Sequence, residues 1–229
     1  MKPLVARELC PETIRGVLFD MDGLLLDSER LYTQAFHEAC AAFDQPINNE
    51  VWVRCIGTTE AASRQILAEG FGADFPLHAV LREFRIRFDA LQAGGIAPMP
   101  GVPELLSALY AWRIPMGLVT STSRTLAGQK LYRARLGDYF AVRICGGEVR
   151  AGKPSPDPYV LGARLLGLEP AQVLVLEDSP NGVRAGVGAG AQVIQIPDQV
   201  PPTPEVLEFG HTLHQSLHET LEMLRLSRE

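Results

Sequence analysis

The sequence predicts an α/β protein: a doubly wound, Rossmann-like parallel-sheet core with a small α-helical cap domain inserted after the first strand. Three observations predict it. From about residue 102 onward, short apolar runs alternate with helix-length amphipathic segments, the pattern of successive βα units. Several of these runs end in polar or acidic residues, as buried strands do when they deliver side chains to the carboxyl edge of a sheet. Between residues 28 and 93 the alternation stops, and apolar residues recur only at helical spacing.

The first strand spans residues 16–20 and runs through Val17-Leu18-Phe19 into Asp20-Met21-Asp22-Gly23. Carboxylates at i and i+2 of an extended chain face opposite sides. For both to reach one site the chain must turn after Asp20, and Gly23 permits that turn. Leu31, Ala35, Phe36, Ala39, Cys40 and Phe43 then mark a helix, with Asp27 or Ser28 placed as its N-cap and Gln45-Pro46 at its end. A second helix is expected after Gly57, capped by Thr58 or Thr59, and a third carries Leu77, Val80, Leu81, Phe84, Phe88 and Leu91. The Gly/Pro-rich stretch 93–101 closes this unit. The resulting division is an α/β core of residues 1–27 and 94–229 and a helical cap of residues 28–93, with hinges at 24–27 and at Gly94-Gly95.

Four further strands are predicted at 116–119, 142–145, 173–176 and 193–196. The intervening helices lie near 105–109, 126–136, 159–168 and 181–190, and Leu213, Leu217, Leu221 and Leu224 mark a terminal helix. With the opening strand this makes five strands.

Composition narrows the function. At 229 residues the chain can bury a sizeable core. A net charge of -6 argues against a nucleic-acid partner held by bulk electrostatics, and an anionic substrate would need a local cation to overcome that field. Cys10, Cys40, Cys55 and Cys145 are far apart without CxxC spacing, which predicts reduced, buried thiols. The first twenty residues lack an apolar signal-like run and no stretch approaches a membrane span, so a cytoplasmic monomer without a membrane partner is expected. His37, His78, His211, His214 and His218 share no ligand spacing with the acids and read as surface residues.

In open α/β sheets ligands bind outside the carboxyl ends of the strands. The residues placed there are Asp20, Asp22, Thr120, Ser121, Glu177 and Asp178, with Lys153 in the loop after the 142–145 strand. Acids gathered this closely repel unless a divalent cation sits among them, and Mg²⁺ suits carboxylates plus phosphate oxygens. Lysine, a threonine hydroxyl and loop amides are fit to hold a phosphoryl group. The chemistry these groups imply is Mg²⁺-dependent phosphoryl transfer, in which a carboxylate can be the nucleophile. Each residue also has a plainer use: Thr120 or Asp178 as a helix cap, Lys153 as a solvated loop lysine.

Asp20-Met21-Asp22-Gly23, Thr120, Lys153-Pro154-Ser155-Pro156-Asp157 and Glu177-Asp178-Ser179-Pro180-Asn181-Gly182 stand in the order of the four motifs of the haloacid dehalogenase-like hydrolase superfamily, which the chain resembles over nearly its whole length. The helical insertion is similar to the cap of the subgroup containing β-phosphoglucomutase and many sugar-phosphate phosphatases. The run Asp20 to Tyr32 is similar to phosphatases acting on pseudouridine 5′-phosphate or 2-deoxyglucose 6-phosphate. The resemblance implies that Asp20 is the nucleophile, forming an aspartyl-phosphate, and that Asp22 is the acid/base. It implies Mg²⁺ held by the Asp20 carboxylate, the Asp22 carbonyl and Asp178, with Glu177 as a direct or water-mediated ligand. Thr120, the Ser121 amide and Lys153 would stabilise phosphoryl charge. An aspartate at position 22 argues against the dehalogenase branch, whose halide leaving group needs no acid. Glu29, Arg54, Thr58 and Arg64 are the cap residues expected to face the substrate. The implied function is hydrolysis of a small phosphomonoester, a sugar phosphate or nucleoside monophosphate. The alternative is a phosphoglucomutase-type isomerase, in which a histidine is expected where this chain has Tyr32.

Overall fold

The computed structural model describes residues 4–58 and 60–228. Its centre is a six-stranded sheet in which every neighbouring pair is parallel. The strands are β1 (Gly16–Phe19), β2 (Met116–Ser123), β3 (Val142–Gly146), β4 (Val173–Glu177), β5 (Gln192–Gln195) and β6 (Thr212–Leu213), in the order β3-β2-β1-β4-β5-β6. β6 is the strand the sequence did not announce. It has two residues, too few for any periodicity to show, and it takes Leu213 out of the predicted terminal helix.

Both faces of the sheet are covered, so the strands alternate between two apolar clusters rather than between core and water. Val17 and Phe19 of β1 and Leu174 and Leu176 of β4 point into one cluster; Leu18, Val173 and Val175 point into the other. The first face is closed by α5 (Val102–Ala111), α6 (Arg124–Arg133) and α10 (Leu217–Leu226), the second by α7 (Asp157–Leu165) and α8 (Pro180–Gly188). A single turn of helix, α9 (Pro204–Leu207), adds Val206 to the second cluster.

Between β1 and α5 the described residues add no strand to the sheet, and the longer elements are helices: α1 (Glu29–Ala41), α2 (Asn49–Val53), α3 (Glu60–Phe71) and α4 (Leu77–Leu91). α2 was not legible, being short, and it is capped by the Asn48 side chain accepting from the Val51 amide. These helices bury a cluster of their own around Phe36, Trp52, Leu67 and Val80. The Phe36 and Trp52 rings stack at 4.2 Å. No helix among the described residues is long and apolar enough to cross a membrane.

The two chain crossings into this helical unit run side by side. The Met99 amide donates to the Leu25 carbonyl at 3.0 Å and the Asp27 amide to the Ala97 carbonyl at 3.0 Å. Leu24, Leu25 and Leu26 are fully buried in the same cluster as Phe19, so most of the 24–27 segment expected as a hinge is core. Two helix-start expectations also change. Ser28 occupies the N-cap of α1 without a capping bond, because its hydroxyl is spent on Asp22. Thr58 donates its hydroxyl to the Cys55 carbonyl, and Thr59 lies outside the described residues.

Two composition-based expectations are corrected as well. Cys40, Cys55 and Cys145 are buried thiols, but Cys10 is exposed. His214 is buried, with its Nδ1 2.9 Å from the Thr220 hydroxyl, because the chain between β6 and α10 tucks that ring under the helix.

Candidate active site

β1 lies between β2 and β4, where the strand order reverses, and parallel register sets the ends of these strands level. Phe19 pairs with Leu118 on one side and Leu176 on the other, so Asp20 emerges beside Thr120 and beside Glu177 and Asp178. The Asp20 amide extends the ladder by one bond, to the Leu176 carbonyl at 3.0 Å. The chain then reverses: Gly23 has φ 82°, and Leu25 and Leu26 both donate to the Met21 carbonyl. A Cβ on Gly23 would sit 2.5 Å from Asp178 Oδ2, so the turn needs glycine for space as well as for φ. Asp22 is thereby folded back to the side of Asp20, as the turn predicted after Asp20 requires.

Lys153 is the cation at the centre. Its ammonium donates to Asp20 Oδ1, to Glu177 Oε1 at 2.5 Å and to the Val119 carbonyl at 2.9 Å, and its side chain is almost wholly buried. It is no solvated loop lysine. Glu177, fully buried, also accepts from the Tyr159 hydroxyl at 2.5 Å and from Ser179 Oγ at 3.1 Å. Ser179, not Asp178, caps α8, accepting from the Gly182 amide at 3.1 Å. That leaves the Asp178 carboxylate without a side-chain or amide donor among the described residues, and burial, then Asp20 and Glu177, push its carboxyl well above the usual range. Burial likewise pushes Asp20 up to about 7, against the pull of Lys153.

Ligand oxygens of Asp20, Glu177 and Asp178 all lie within 4.8 Å of one another. Buried acids this close, one of them undonated, form a set that fits a divalent cation. Glu177 stands apart within that set because Lys153, Tyr159 and Ser179 already engage its oxygens. A Cβ on Gly182 would lie 1.8 Å from Glu177 Cδ. Gly182→Ala is therefore expected to destabilise the protein by about 2 kcal/mol or more, read as a fall in urea midpoint at constant m-value.

Asp22 is held differently. Oδ1 accepts from Ser28 Oγ at 2.6 Å and from the Lys130 ammonium, and Oδ2 accepts from Thr122 Oγ1 at 2.7 Å. Burial acts to raise this carboxyl, but the Lys130 charge and the donors from Lys130, Ser28 and Thr122 outweigh it and hold it below the usual range. Two acids two residues apart are therefore shifted in opposite directions.

A cavity of about 450 Å³ joins these groups to the helical unit. Of the residues predicted to meet the substrate, Glu29, Thr58 and Arg64 line it, together with Thr120, Ser121 and Lys153. Arg54 does not: it is exposed at the end of α2, outside the lining. Arg64 is paired with Glu60 at 3.0 Å. Glu29 is nine-tenths buried with no hydrogen-bond donor among the described residues, and burial, then Asp22, push its carboxyl up to about 8. The helical unit touches the core at the site itself, since a Cβ on Gly57 would sit 3.0 Å from Ser179 Cβ.

A family model described as haloacid dehalogenase-like hydrolase matches residues 17–196, which include every one of these groups. The chain belongs to the haloacid dehalogenase-like hydrolase family. Among its relatives are a phosphorylated carbohydrates phosphatase of Thermotoga maritima, 33% identical over 79% of this chain and 84% of the relative, and hexitol phosphatase A of Escherichia coli, 35% identical over 88% and 92%. Among solved structures, CbbY from Rhodobacter sphaeroides in complex with phosphate is 31% identical, with a TM-score of 0.71 over 90% of this chain and 96% of that one.

Four residues at the centre of this hydrolase's site escaped the sequence reading: Ser28, Thr122, Lys130 and Tyr159. Lys130 left a signal. It falls three residues after Ala127 and four after Leu126, on the buried stripe of α6, where a lysine has no business unless something pairs it. Tyr159 left a similar one, i to i+4 with Ala163 on α7. Ser28 was noticed only as a cap, and Thr122 lies beyond the point at which the predicted strand stops.

Proposed function

We propose that this hydrolase is a Mg²⁺-dependent phosphatase that hydrolyses a small phosphomonoester, a sugar phosphate or nucleoside monophosphate, through an aspartyl-phosphate. The observation that carries the reading is the pairing of Asp20 with Lys153 beside an Asp22 held on three donors. Asp20 supplies the attacking oxygen. Lys153 orients that carboxylate and, with Thr120 and the Ser121 amide, meets charge on the phosphoryl oxygens. Asp22 gives a proton to the leaving oxygen and later takes one from the attacking water. The phosphoryl group passes to Asp20 with departure of the alcohol, then to water with return of the bond's electron pair to Asp20.

Mg²⁺ would be held by the Asp20 and Asp178 carboxylates and the Asp22 carbonyl; with its Lys153, Tyr159 and Ser179 bonds, Glu177 serves better to fix Lys153 and to reach the ion through water. When bound, the ion would neutralise the acids and polarise the phosphoryl oxygens. We assign residues 28–93 as the cap that covers the cavity and excludes water during the first transfer. Glu29, the undonated carboxyl in the cavity wall, is the residue best placed to receive a substrate hydroxyl. The relatives named for phosphorylated carbohydrates and hexitols support a polyhydroxylated leaving group. Tyr32 stands where the mutase subgroup is expected to have histidine, and its hydroxyl is 2.9 Å from Lys130, which favours the phosphatase.

Purified protein with Mg²⁺ is expected to release phosphate from members of a panel of sugar and nucleoside monophosphates, and EDTA is expected to abolish that release. Undiminished release under EDTA would remove the metal from the reading. Interconversion of hexose phosphates without phosphate release would replace the phosphatase by the mutase.

A further inference from the structure

Lys130 has no step of its own in the mechanism above, yet its surroundings are built. The side chain is 3% exposed, and its ammonium contacts Asp22 Oδ1 and lies 2.9 Å from the Tyr32 hydroxyl. The Tyr32 ring stacks on Phe88 at 4.1 Å, and the ammonium is 5.6 Å from the Phe88 centroid. Lys130 belongs to the core helix α6, whereas Tyr32 and Phe88 belong to α1 and α4 of the helical unit. One lysine therefore ties the Asp22 carboxylate to two helices of the proposed cap. Desolvating an ammonium beside aromatic rings is costly, and Ser28 and Thr122 already donate to both Asp22 oxygens, so satisfying that acid does not by itself require a buried cation.

With donors on both oxygens, the Asp22 carboxylate is arranged to accept. That suits one half of the reaction: in the second transfer the carboxylate takes a proton, and in the first it must give one.

We propose that Lys130 is a positioning residue for that second transfer, holding Asp22, with Tyr32 of the closed cap, where it accepts a proton from the attacking water. The water oxygen bonds to phosphorus, the bond from phosphorus to the Asp20 oxygen breaks with its electron pair returning to Asp20, and the water proton passes to Asp22. The inference rests on the reading of Asp22 as acid/base.

The test compares p-nitrophenyl phosphate, whose leaving group departs without protonation, with the best sugar phosphate found. Enzyme is quenched in acid at steady state and the phosphoenzyme fraction is counted from ³²P-labelled substrate. For Lys130→Met we expect kcat on p-nitrophenyl phosphate to fall about 10-fold or more with KM falling in proportion, so that kcat/KM holds, and the trapped phosphoenzyme fraction to rise several-fold. Tyr32→Phe, which keeps the ring stack and removes one hydroxyl, should move both readouts the same way by about 2–3-fold, and it serves if Lys130→Met does not fold. A structural ion pair alone would lower stability without raising the phosphoenzyme. Unchanged kcat, or a lower kcat with a lower phosphoenzyme fraction, would overturn the inference. Asp22→Asn separates the two levels: if it is impaired while Lys130 and Tyr32 variants are normal, only the role of Lys130 falls; if it turns over normally, the acid/base reading falls and this inference with it.

Discussion

Asp20→Asn is expected to lose at least about 10⁴-fold in phosphate release while remaining folded. The amide has the shape of the carboxylate, and its carbonyl can still accept from Lys153, so the loss would be one of chemistry. Asp20 is one of three buried acids within 4.8 Å, and burial has already pushed its carboxyl up to about 7. Removing its charge relieves repulsion with Glu177 and Asp178, so without metal the melting temperature should hold or rise. Full activity in this variant would place the nucleophile elsewhere. A fall in melting temperature large enough to unfold the protein would mean that the lost activity reports the fold.

Lys153→Met is expected to have the largest effect on stability. Lys153 is the only cation in hydrogen-bond reach of Asp20 and Glu177 among the described residues, and both acids are buried around it. Taking one partner from a buried pair leaves uncompensated charge and costs about 3–5 kcal/mol. Urea unfolding without metal should show that loss, and Mg²⁺ should return part of it by binding only the native state. Activity should fall about 10²–10³-fold as well, since in the proposed mechanism Lys153 also meets charge on the phosphoryl oxygens. An unchanged urea midpoint would show that the acids are neutralised by other means.

The same acids fix the sign of the pH dependence of the metal-free protein. The Asp20 carboxyl stands near 7 when folded against an ordinary value of 3.8. The native state therefore binds the proton more tightly than the unfolded chain, and between these two values stability falls as pH rises. Asp178, shifted the same way, adds to the slope. Asp22, shifted downward by Lys130, Ser28 and Thr122 despite its burial, opposes it below its ordinary value.

The sheet and the acids were legible because their signals are local. Val17-Leu18-Phe19 before Asp20, and Val173 to Leu176 before Glu177-Asp178, are runs whose length and ending announce buried strands delivering acids. Gly23 announced the turn that folds Asp22 back, and its φ of 82° confirms the need for glycine there. By contrast α2 and β6, with five and two residues, are too short for their periods to repeat. Arg54 could be placed beside the Gly57 loop, but whether it faces the cavity depends on how the helices pack around Phe36 and Trp52.

By itself the sequence determined the parallel α/β core, the helical insertion, the strand-end positions of Asp20, Asp22, Thr120, Lys153, Glu177 and Asp178, and the membership of a family. Only the tertiary structure decided how those groups are shared out. The strand order set β4 next to β1, so Lys153 is held between Asp20 and Glu177 while Asp178 is left undonated among the described residues. The packing of α6 against α1 and α4 brought Lys130, more than a hundred positions from Asp22, onto that carboxylate. Strand ends are written in neighbouring residues, because burial of a short run depends on its own hydrophobicity. Pairing across the sheet and across the insertion depends on which surfaces meet, and a charge buried by that meeting looks in the sequence like any other lysine.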